Sequence, residues 1–130
     1  MAAPHLQHDE GYIKFQPIWQ QSTAFPTAEF TNLLHWRQAC YQRKWIGVYP
    51  DGIGFGNISE RCVDDRNHFY ISGSATGGLS ALSPDHIAKV MAVDAPQNKL
   101  WCEGPILASS ESMSHAAIYQ ELPWVQAVIH

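Results

Sequence analysis

The feature that most constrains this chain is a series of short apolar runs, separated by clusters of turn-forming residues, between positions 58 and 102. Asp64-Asp65-Arg66-Asn67 and Ala95-Pro96-Gln97-Asn98 are two such clusters. Runs of this length that contain β-branched and aromatic residues and end in polar turns are typical of β-strands. We therefore predict a hairpin of 58–63 with 68–72, and two more strands, 89–94 and 99–102, around the second turn.

Helical signals lie on either side of these strands. Residues 26–45 carry apolar side chains at helical spacing, with Thr27 as the predicted N-cap and Arg37 as a break in the apolar stripe. The remaining predicted elements are a short helix that opens at Ser83-Pro84-Asp85, a helix over 109–121 and a final strand over 125–130. This order of elements predicts an α/β domain of the layered α+β kind, with 1–25 as a lead-in segment and 26–130 as the domain.

Composition excludes several classes of protein. The chain has 130 residues, of which 45% are hydrophobic and 15% charged, with a net charge of −4. It is too apolar to be disordered, and no run approaches the roughly 18 apolar residues of a membrane-spanning helix. The acidic balance argues against a nucleic-acid partner. Because Cys40, Cys62 and Cys102 are odd in number and no signal peptide is visible, we expect reduced thiols and a cytoplasmic location without a membrane partner.

Three segments concentrate residues that could bind an anion. They are Gly54-Phe55-Gly56-Asn57, the loop from Ser72 to Gly78, and Ser109-Ser110-Glu111 at a helix start. Each has a simpler explanation when taken alone, namely a tight turn, a flexible loop and a helix cap. Together they suggest a pocket of backbone N–H groups, hydroxyls and a helix N-terminus. With one carboxylate and a nearby histidine, such a pocket suits a metal-assisted reaction on a small phosphorylated or carboxylated compound.

Four motifs in order carry a resemblance to a known family. They are Gly56-Asn57-Ile58-Ser59, Ile71-Ser72-Gly73-Ser74, Ala108-Ser109-Ser110-Glu111 followed by His115 and Tyr119, and Ala127-Val128-Ile129-His130. Over about residues 30–130 the chain resembles the class II aldolase/adducin family, which includes fuculose-phosphate aldolase, ribulose-phosphate epimerase and methylthioribulose-phosphate dehydratase. The resemblance implies a three-layer α/β/α fold with a central, mainly antiparallel sheet.

The resemblance also implies a set of site residues. Family enzymes bind a divalent metal, usually zinc, through three histidines, and the first of these matches His130. Glu111 would be the acid/base that moves a proton on an enediolate, while the metal acts as a Lewis acid. His115 falls on no metal position, and we interpret it as a helix residue packed against a strand. The residues that would bind the substrate phosphate are Gly56, Asn57, Ser74, Ser109 and Ser110.

The activity implied is that of a metal-dependent aldolase-type lyase, or a related epimerase or dehydratase, acting on a small hydroxy-carbonyl compound or sugar phosphate. A homotetramer with sites at subunit boundaries would be the assembly. Two departures from the family pattern are visible: Ala75 stands where the family has glycine, and the chain as written ends at His130. We therefore expect a domain without its C-terminal part and a chain inactive as written. The alternative is a non-catalytic adducin-like assembly module or a truncated pseudoenzyme.

Overall fold

The computed structural model describes residues 13–130, so residues 1–12 of the predicted lead-in lie outside the described residues. Within that range the chain forms ten regular elements and two short 3-10 turns, Thr27–Glu29 and Pro84–His86. The elements are β1 (Gln16–Gln21), α1 (Thr31–Gln42), β2 (Gly47–Val48), β3 (Gly54–Phe55), β4 (Ile58–Arg61), β5 (Phe69–Ser72), β6 (Ile87–Asp94), β7 (Lys99–Gly104), α2 (Ser112–Glu121) and β8 (Ala127–Ile129).

Six of the strands form one sheet in the order β1-β7-β6-β5-β4-β8, and β2 pairs with β3 separately. The predicted hairpins are confirmed, because β4 pairs with β5 and β6 pairs with β7, both antiparallel. The remaining neighbours are antiparallel except β1 and β7. The protein is therefore a mixed α/β fold with a six-stranded, mainly antiparallel sheet and two helices.

The strand β1 was not predicted. It pairs in parallel with β7, from Gln16 opposite Lys99 to Gln21 opposite Gly104. All of its residues are exposed, so its sequence lacks the alternation that marks a half-buried strand. Its edge position also tolerates Pro17, which has no N–H for a second neighbour. The division of the chain at residue 26 stays a prediction.

The predicted helix over 26–45 is wrong in its extent. It is divided into the 3-10 turn Thr27–Glu29 and α1, because Phe30 between them has the non-helical dihedrals φ −143° and ψ 37°. Phe30 is fully buried, so core packing fixes the break. Thr27 makes no side-chain cap but accepts a bond from the Thr31 hydroxyl through its carbonyl oxygen. In the described part of the chain, no helix has the length and apolar character needed to cross a bilayer.

β5 contributes to both hydrophobic clusters of the core. Phe69 and Ile71 pack with residues of α2, whereas Tyr70 packs with residues of α1, because successive side chains of a strand point to opposite faces. The first cluster consists of Phe15, Phe69, Ile71, Ala88, Val90, Leu100, Cys102, Ala108, Ala116 and Tyr119. The second consists of Phe30, Leu33, Cys40, Ile46, Ile58, Cys62, Tyr70 and Ile87.

Two glycines before β4 differ in why glycine is needed, because one has only a left-handed φ angle and the other also has no room for a Cβ. Gly52 and Gly56 both have left-handed φ angles, +90° and +88°. A Cβ at Gly52 would meet nothing within 4 Å, whereas one at Gly56 would lie 2.7 Å from Ile46 Cγ1 and 3.0 Å from backbone atoms. We expect Gly52→Ala to lower the free energy of unfolding by about 1 kcal/mol through backbone strain. Gly56→Ala should cost an additional ~1–3 kcal/mol through overpacking.

Urea unfolding of the two alanine variants measures this difference. Equal losses of stability would show that Gly56 is required only for its dihedral angle and that the contact with Ile46 relaxes freely.

Candidate functional site

The predicted site segments meet at one end of the sheet. Since β4 is antiparallel to both β5 and β8, the start of β4 lies beside the ends of those two strands. The Ile58 N–H donates to the Ser72 hydroxyl at 3.2 Å. Asn57 and His130 exchange two backbone hydrogen bonds, of 3.0 and 2.9 Å. The Gly56-Asn57 segment is therefore held between the hydroxyl loop after β5 and the histidine after β8.

The loop after β5 is joined to the chain that leads into α2. Gly73 forms a bridge with Ala108, and the Ser74 N–H donates to the Leu107 carbonyl at 2.8 Å. Ser74 therefore retains its hydroxyl, not its N–H, for a ligand. Ala75 has a φ of +60°, in the region that favours glycine. The backbone at Ala75 thus adopts a conformation suited to the glycine that the family pattern has there.

A buried arginine supports the same loop from the side of α1. Arg37 is 1% exposed, and its Nη2 donates to the carbonyls of Thr76 at 2.9 Å and Gly77 at 3.3 Å. The Thr76 hydroxyl closes the turn by donating to the Gly73 carbonyl at 2.8 Å. Arg37, which interrupts the apolar stripe of the predicted helix, is therefore a structural cation that holds the loop after β5 through its backbone carbonyls.

The start of α2 presents the predicted acidic residue. Glu111 is the N-cap position, and its N–H donates to the Ser109 hydroxyl at 3.2 Å. The Ser109 carbonyl accepts from the Ser112 hydroxyl at 2.7 Å, which tightens the turn. Glu111 Oε2 lies 3.0 Å from Lys14 Nζ in a partly exposed ion pair. The predicted helix start at Ser109 is therefore wrong, because α2 begins at Ser112 and Ser109 closes the turn before it without capping the helix. Ser110 beside it is half-buried.

A chain of buried hydrogen bonds crosses from α2 to the sheet. His115 Nε2 lies 2.5 Å from Asn57 Oδ1, and His115 Nδ1 lies 2.7 Å from Ser59 Oγ. The Ser59 hydroxyl in turn lies 2.7 Å from the Tyr119 hydroxyl. His115 and Ser59 are both 0% exposed. Each of the four side chains thus has a hydrogen-bond partner within this buried network.

The acceptor at one end determines where the protons are. An amide oxygen can only accept, so His115 Nε2 carries the proton and Nδ1 accepts from the Ser59 hydroxyl. The Ser59 oxygen then accepts from Tyr119. Burial, with a smaller contribution from the charge of His130, lowers the pKa of His115 to about 4. Burial likewise raises the pKa of Tyr119 to about 12, so both groups are neutral at neutral pH.

His115 links the two ends of the predicted site. Its backbone N–H donates to the Glu111 carbonyl at 3.3 Å, and its ring centroid lies 6.5 Å from that of His130. Glu111 thus lies one helical turn before His115, the His130 ring lies near the His115 ring, and Asn57 is hydrogen-bonded to both histidines. The structure brings these segments together, while the role assigned to each residue stays a prediction.

Comparison with known proteins adds one finding. Residues 37–130 match the family of the class II aldolase and adducin N-terminal domain, which is well over half of the 130-residue chain. The chain belongs to this family. No curated protein and no solved structure matches it. The match spans the whole arrangement from Arg37, which supports the hydroxyl loop, to His130 at the sheet end.

The family commonly uses a divalent metal, so we ask whether the side chains of this chain could hold one. Among residues 13–130, no three His, Cys, Asp or Glu side chains are grouped so that they could hold a metal ion. His130 is exposed after β8, and the carboxylate of Glu111 pairs with Lys14. The side chains in this range therefore do not fit a closed metal site by themselves, and the chemistry argued below uses only protein side chains.

The motifs quoted above for the class II aldolase/adducin family include Ser59 and Tyr119, but sequence reasoning gave neither residue a role and did not predict their hydrogen-bond network with His115. A signal for the network was present, because His115 and Tyr119 are one helical turn apart and therefore share a face of α2. Two hydrogen-bonding side chains on a buried helix face require partners in the element against which they pack. That the partner is Ser59 of β4 depends on the tertiary fold and was not visible in the pattern.

The buried imidazole predicts a pH dependence of stability. His115 has a folded pKa of about 4 against an ordinary value of 6.5, so the unfolded chain binds more protons between these values. Stability is retained above about pH 6.5 and falls as the pH drops. We expect a loss of about 2–3 kcal/mol between about pH 7 and pH 4.5.

His115→Gln isolates this component from the titration of the carboxylates. Urea unfolding at the two pH values should show a smaller loss for the variant than for the parent protein. The same loss in both proteins would contradict a neutral buried imidazole at position 115.

Proposed function

We propose that this protein is an aldolase-type lyase, or a related epimerase or dehydratase, that acts on a small hydroxy-carbonyl compound or sugar phosphate through an enediolate. The observation that carries the proposal is the meeting of three segments, 56–57, 73–74 and 109–111, at one end of the sheet in a member of this family. Those segments supply hydroxyls, an amide and a carboxylate.

The phosphate of such a substrate would be bound by neutral donors. The residues proposed are Gly56, Asn57, Ser74, Ser109 and Ser110. The left-handed backbone at Gly56 sets the turn that leads into Asn57, and the Asn57 amide and the serine hydroxyls can donate. Although the Ser109 oxygen accepts from the Glu111 N–H, its hydroxyl proton remains available. The positive end of α2 points in the same direction and favours an anion.

Glu111 is proposed as the acid/base. Its carboxylate would accept the proton from the substrate carbon beside the carbonyl group, and the electron pair of that C–H bond would form the enediolate. Returning the proton to the opposite face or to the neighbouring carbon completes an epimerisation or an isomerisation. In the lyase reaction the substrate hydroxyl beyond the scissile bond loses its proton to solvent, and the C–C bond breaks to release an aldehyde. The electron pair of that C–C bond forms the enediolate, to which protonated Glu111 then donates its proton. The Lys14–Glu111 pair is partly exposed, so a substrate can displace it at little cost.

The proposal extends to cofactor, assembly and location. We propose a divalent cation, with zinc preferred, for which His130 is one ligand and the others come from outside residues 13–130. A homotetramer, a small-molecule substrate and a cytoplasmic location belong to the same proposal. A three-layer α/β/α arrangement is supported by the alternation of β5 between the cluster of α1 and the cluster of α2.

A second candidate function is a non-catalytic assembly module of the adducin kind, or a pseudoenzyme. What favours it is that the residues described here include a single proposed metal ligand, His130. The hydrogen-bond chain through His115 would then serve stability alone. The two candidates differ in whether a bound hydroxy-ketone phosphate loses a proton to the protein.

Proton exchange tests the acid/base assignment. We expect the complete translation product, supplied with zinc, to exchange the C–H protons of a hydroxy-ketone phosphate such as dihydroxyacetone phosphate with deuterium, followed by proton NMR. Glu111→Gln should lower the exchange rate by about 10²- to 10⁴-fold, as for a lost general base. Its zinc content should remain close to that of the parent protein, because Glu111 is not a proposed ligand.

Glu121→Gln is the matched control, since Glu121 lies exposed at the other end of α2. It should exchange at the rate of the parent protein. Equal exchange by Glu111→Gln would remove Glu111 from the mechanism, and no exchange by the parent protein with zinc bound would favour the non-catalytic module.

A further inference from the structure

The side chain of Asn57 has two ends with opposite chemistry. Its Oδ1 can only accept hydrogen bonds, whereas its Nδ2 group can only donate them. A phosphate group offers acceptors, so only the Nδ2 end can bind it favourably. Rotation of the amide by half a turn would place an oxygen against the phosphate oxygens. The orientation of this one amide therefore decides whether the proposed site attracts or repels its ligand.

The structure holds the amide in one orientation. Asn57 Oδ1 accepts from His115 Nε2 at 2.5 Å, while the backbone N–H and carbonyl of Asn57 pair with His130. Within the described part of the chain, Asn57 Nδ2 has no hydrogen bond, and the residue keeps 8% of its surface exposed. The donor end is thus the one polar end of this side chain left for a ligand.

The hydrogen bond between His115 and Ser59 is consistent with a proton on His115 Nε2. His115 Nδ1 must accept, because the other ring nitrogen donates to Asn57, and the Ser59 hydroxyl supplies that proton at 2.7 Å. A hydroxyl can donate and accept at the same time, so Ser59 donates to His115 while its oxygen accepts from Tyr119. This series of buried hydrogen bonds therefore fixes one orientation of the Asn57 amide.

We propose that His115 is a positioning residue that fixes the Asn57 side chain so that its NH₂ group donates to an anionic substrate group, a phosphate or a carboxylate. This rests on the proposed function, because it assumes that Asn57 contacts the substrate. It goes further by assigning the specificity for an acceptor-rich ligand to a residue that does not touch the ligand.

The first experiment needs no variant and no ligand. Nitrogen-15 NMR of the full chain distinguishes the two neutral tautomers of a histidine ring. We expect His115 to carry its proton on Nε2 at neutral pH. A proton on Nδ1 would overturn the proposal, because the ring would then accept from Asn57 Nδ2 and leave Oδ1 facing the ligand.

The second experiment follows binding of inorganic phosphate through the backbone amide signal of Ser74, which every variant retains. In the proteins that keep Asn57, its side-chain amide signal reports the contact directly. We expect phosphate to shift both signals in the parent protein. His115→Met, which fills the space without a donor, should weaken phosphate binding by about tenfold. His115→Gln, which can donate to Asn57 Oδ1, should recover most of that loss.

Tyr119→Phe is the matched control, because Tyr119 belongs to the same buried network but bonds neither Asn57 nor His115. It removes the bond to Ser59 and lowers stability, but Ser59 can still donate to His115, so phosphate affinity should change by less than about twofold. A loss of affinity in Tyr119→Phe equal to that in His115→Met would overturn the proposal, since any weakened core would then have the same effect.

Asn57→Ala separates failure of the inference from failure of the proposed function. If Asn57→Ala weakens phosphate binding but His115→Met does not, the positioning role is wrong and the phosphate role of Asn57 stands. If the parent protein and Asn57→Ala respond to phosphate alike, Asn57 is no phosphate ligand, and both proposals fail. Weaker binding in both variants, with recovery in His115→Gln, supports both.

Discussion

Hydrogen bonds of the buried His115 hold α2 against β4 and the segment before it, beside the candidate site. One ring nitrogen reaches the segment before β4, the other reaches β4 itself, and the backbone N–H of the residue belongs to the first turn of α2. Burial keeps the ring neutral, with its pKa lowered to about 4. A neutral ring has one donor and one acceptor, so it can link an amide oxygen to a hydroxyl only in one direction.

Two buried arginines stabilise the backbone on either side of the His115 network. Arg61 donates to four backbone carbonyls, two of which, those of Tyr119 and Leu122, lie at the C-terminal end of α2. A cation there is favoured by the helix dipole, and its guanidinium also lies over the Tyr119 ring at 4.5 Å. Arg37 acts in the same way on the loop after β5. Both guanidinium groups thus donate to backbone carbonyls around the site.

The parts that sequence reasoning predicted are those determined by neighbouring residues. Turn clusters and alternation are local, so the β4–β5 and β6–β7 hairpins were predictable, as was the cap of the short turn at Ser83. The strand β1 was not, because its exposed sequence gains strand structure only from pairing with β7, which lies far along the chain. The link between Ser59 and His115 spans 56 positions and depends on the packing of α2 on the sheet. A hydrogen bond between residues so far apart in sequence cannot be predicted from the periodicity of either segment.

Different atoms of Asn57 carry the fold and the proposed binding of a ligand. Its backbone extends the β4–β8 pairing to His130, and its Oδ1 satisfies the buried imidazole. Both of these interactions are needed whether or not a substrate binds, since a buried ring nitrogen without a partner is costly. Only Nδ2 is left over for chemistry. On the proposed function, a change at Glu111 or at His130 would remove turnover without disturbing these bonds of Asn57, so the same fold could serve an enzyme or a non-catalytic module.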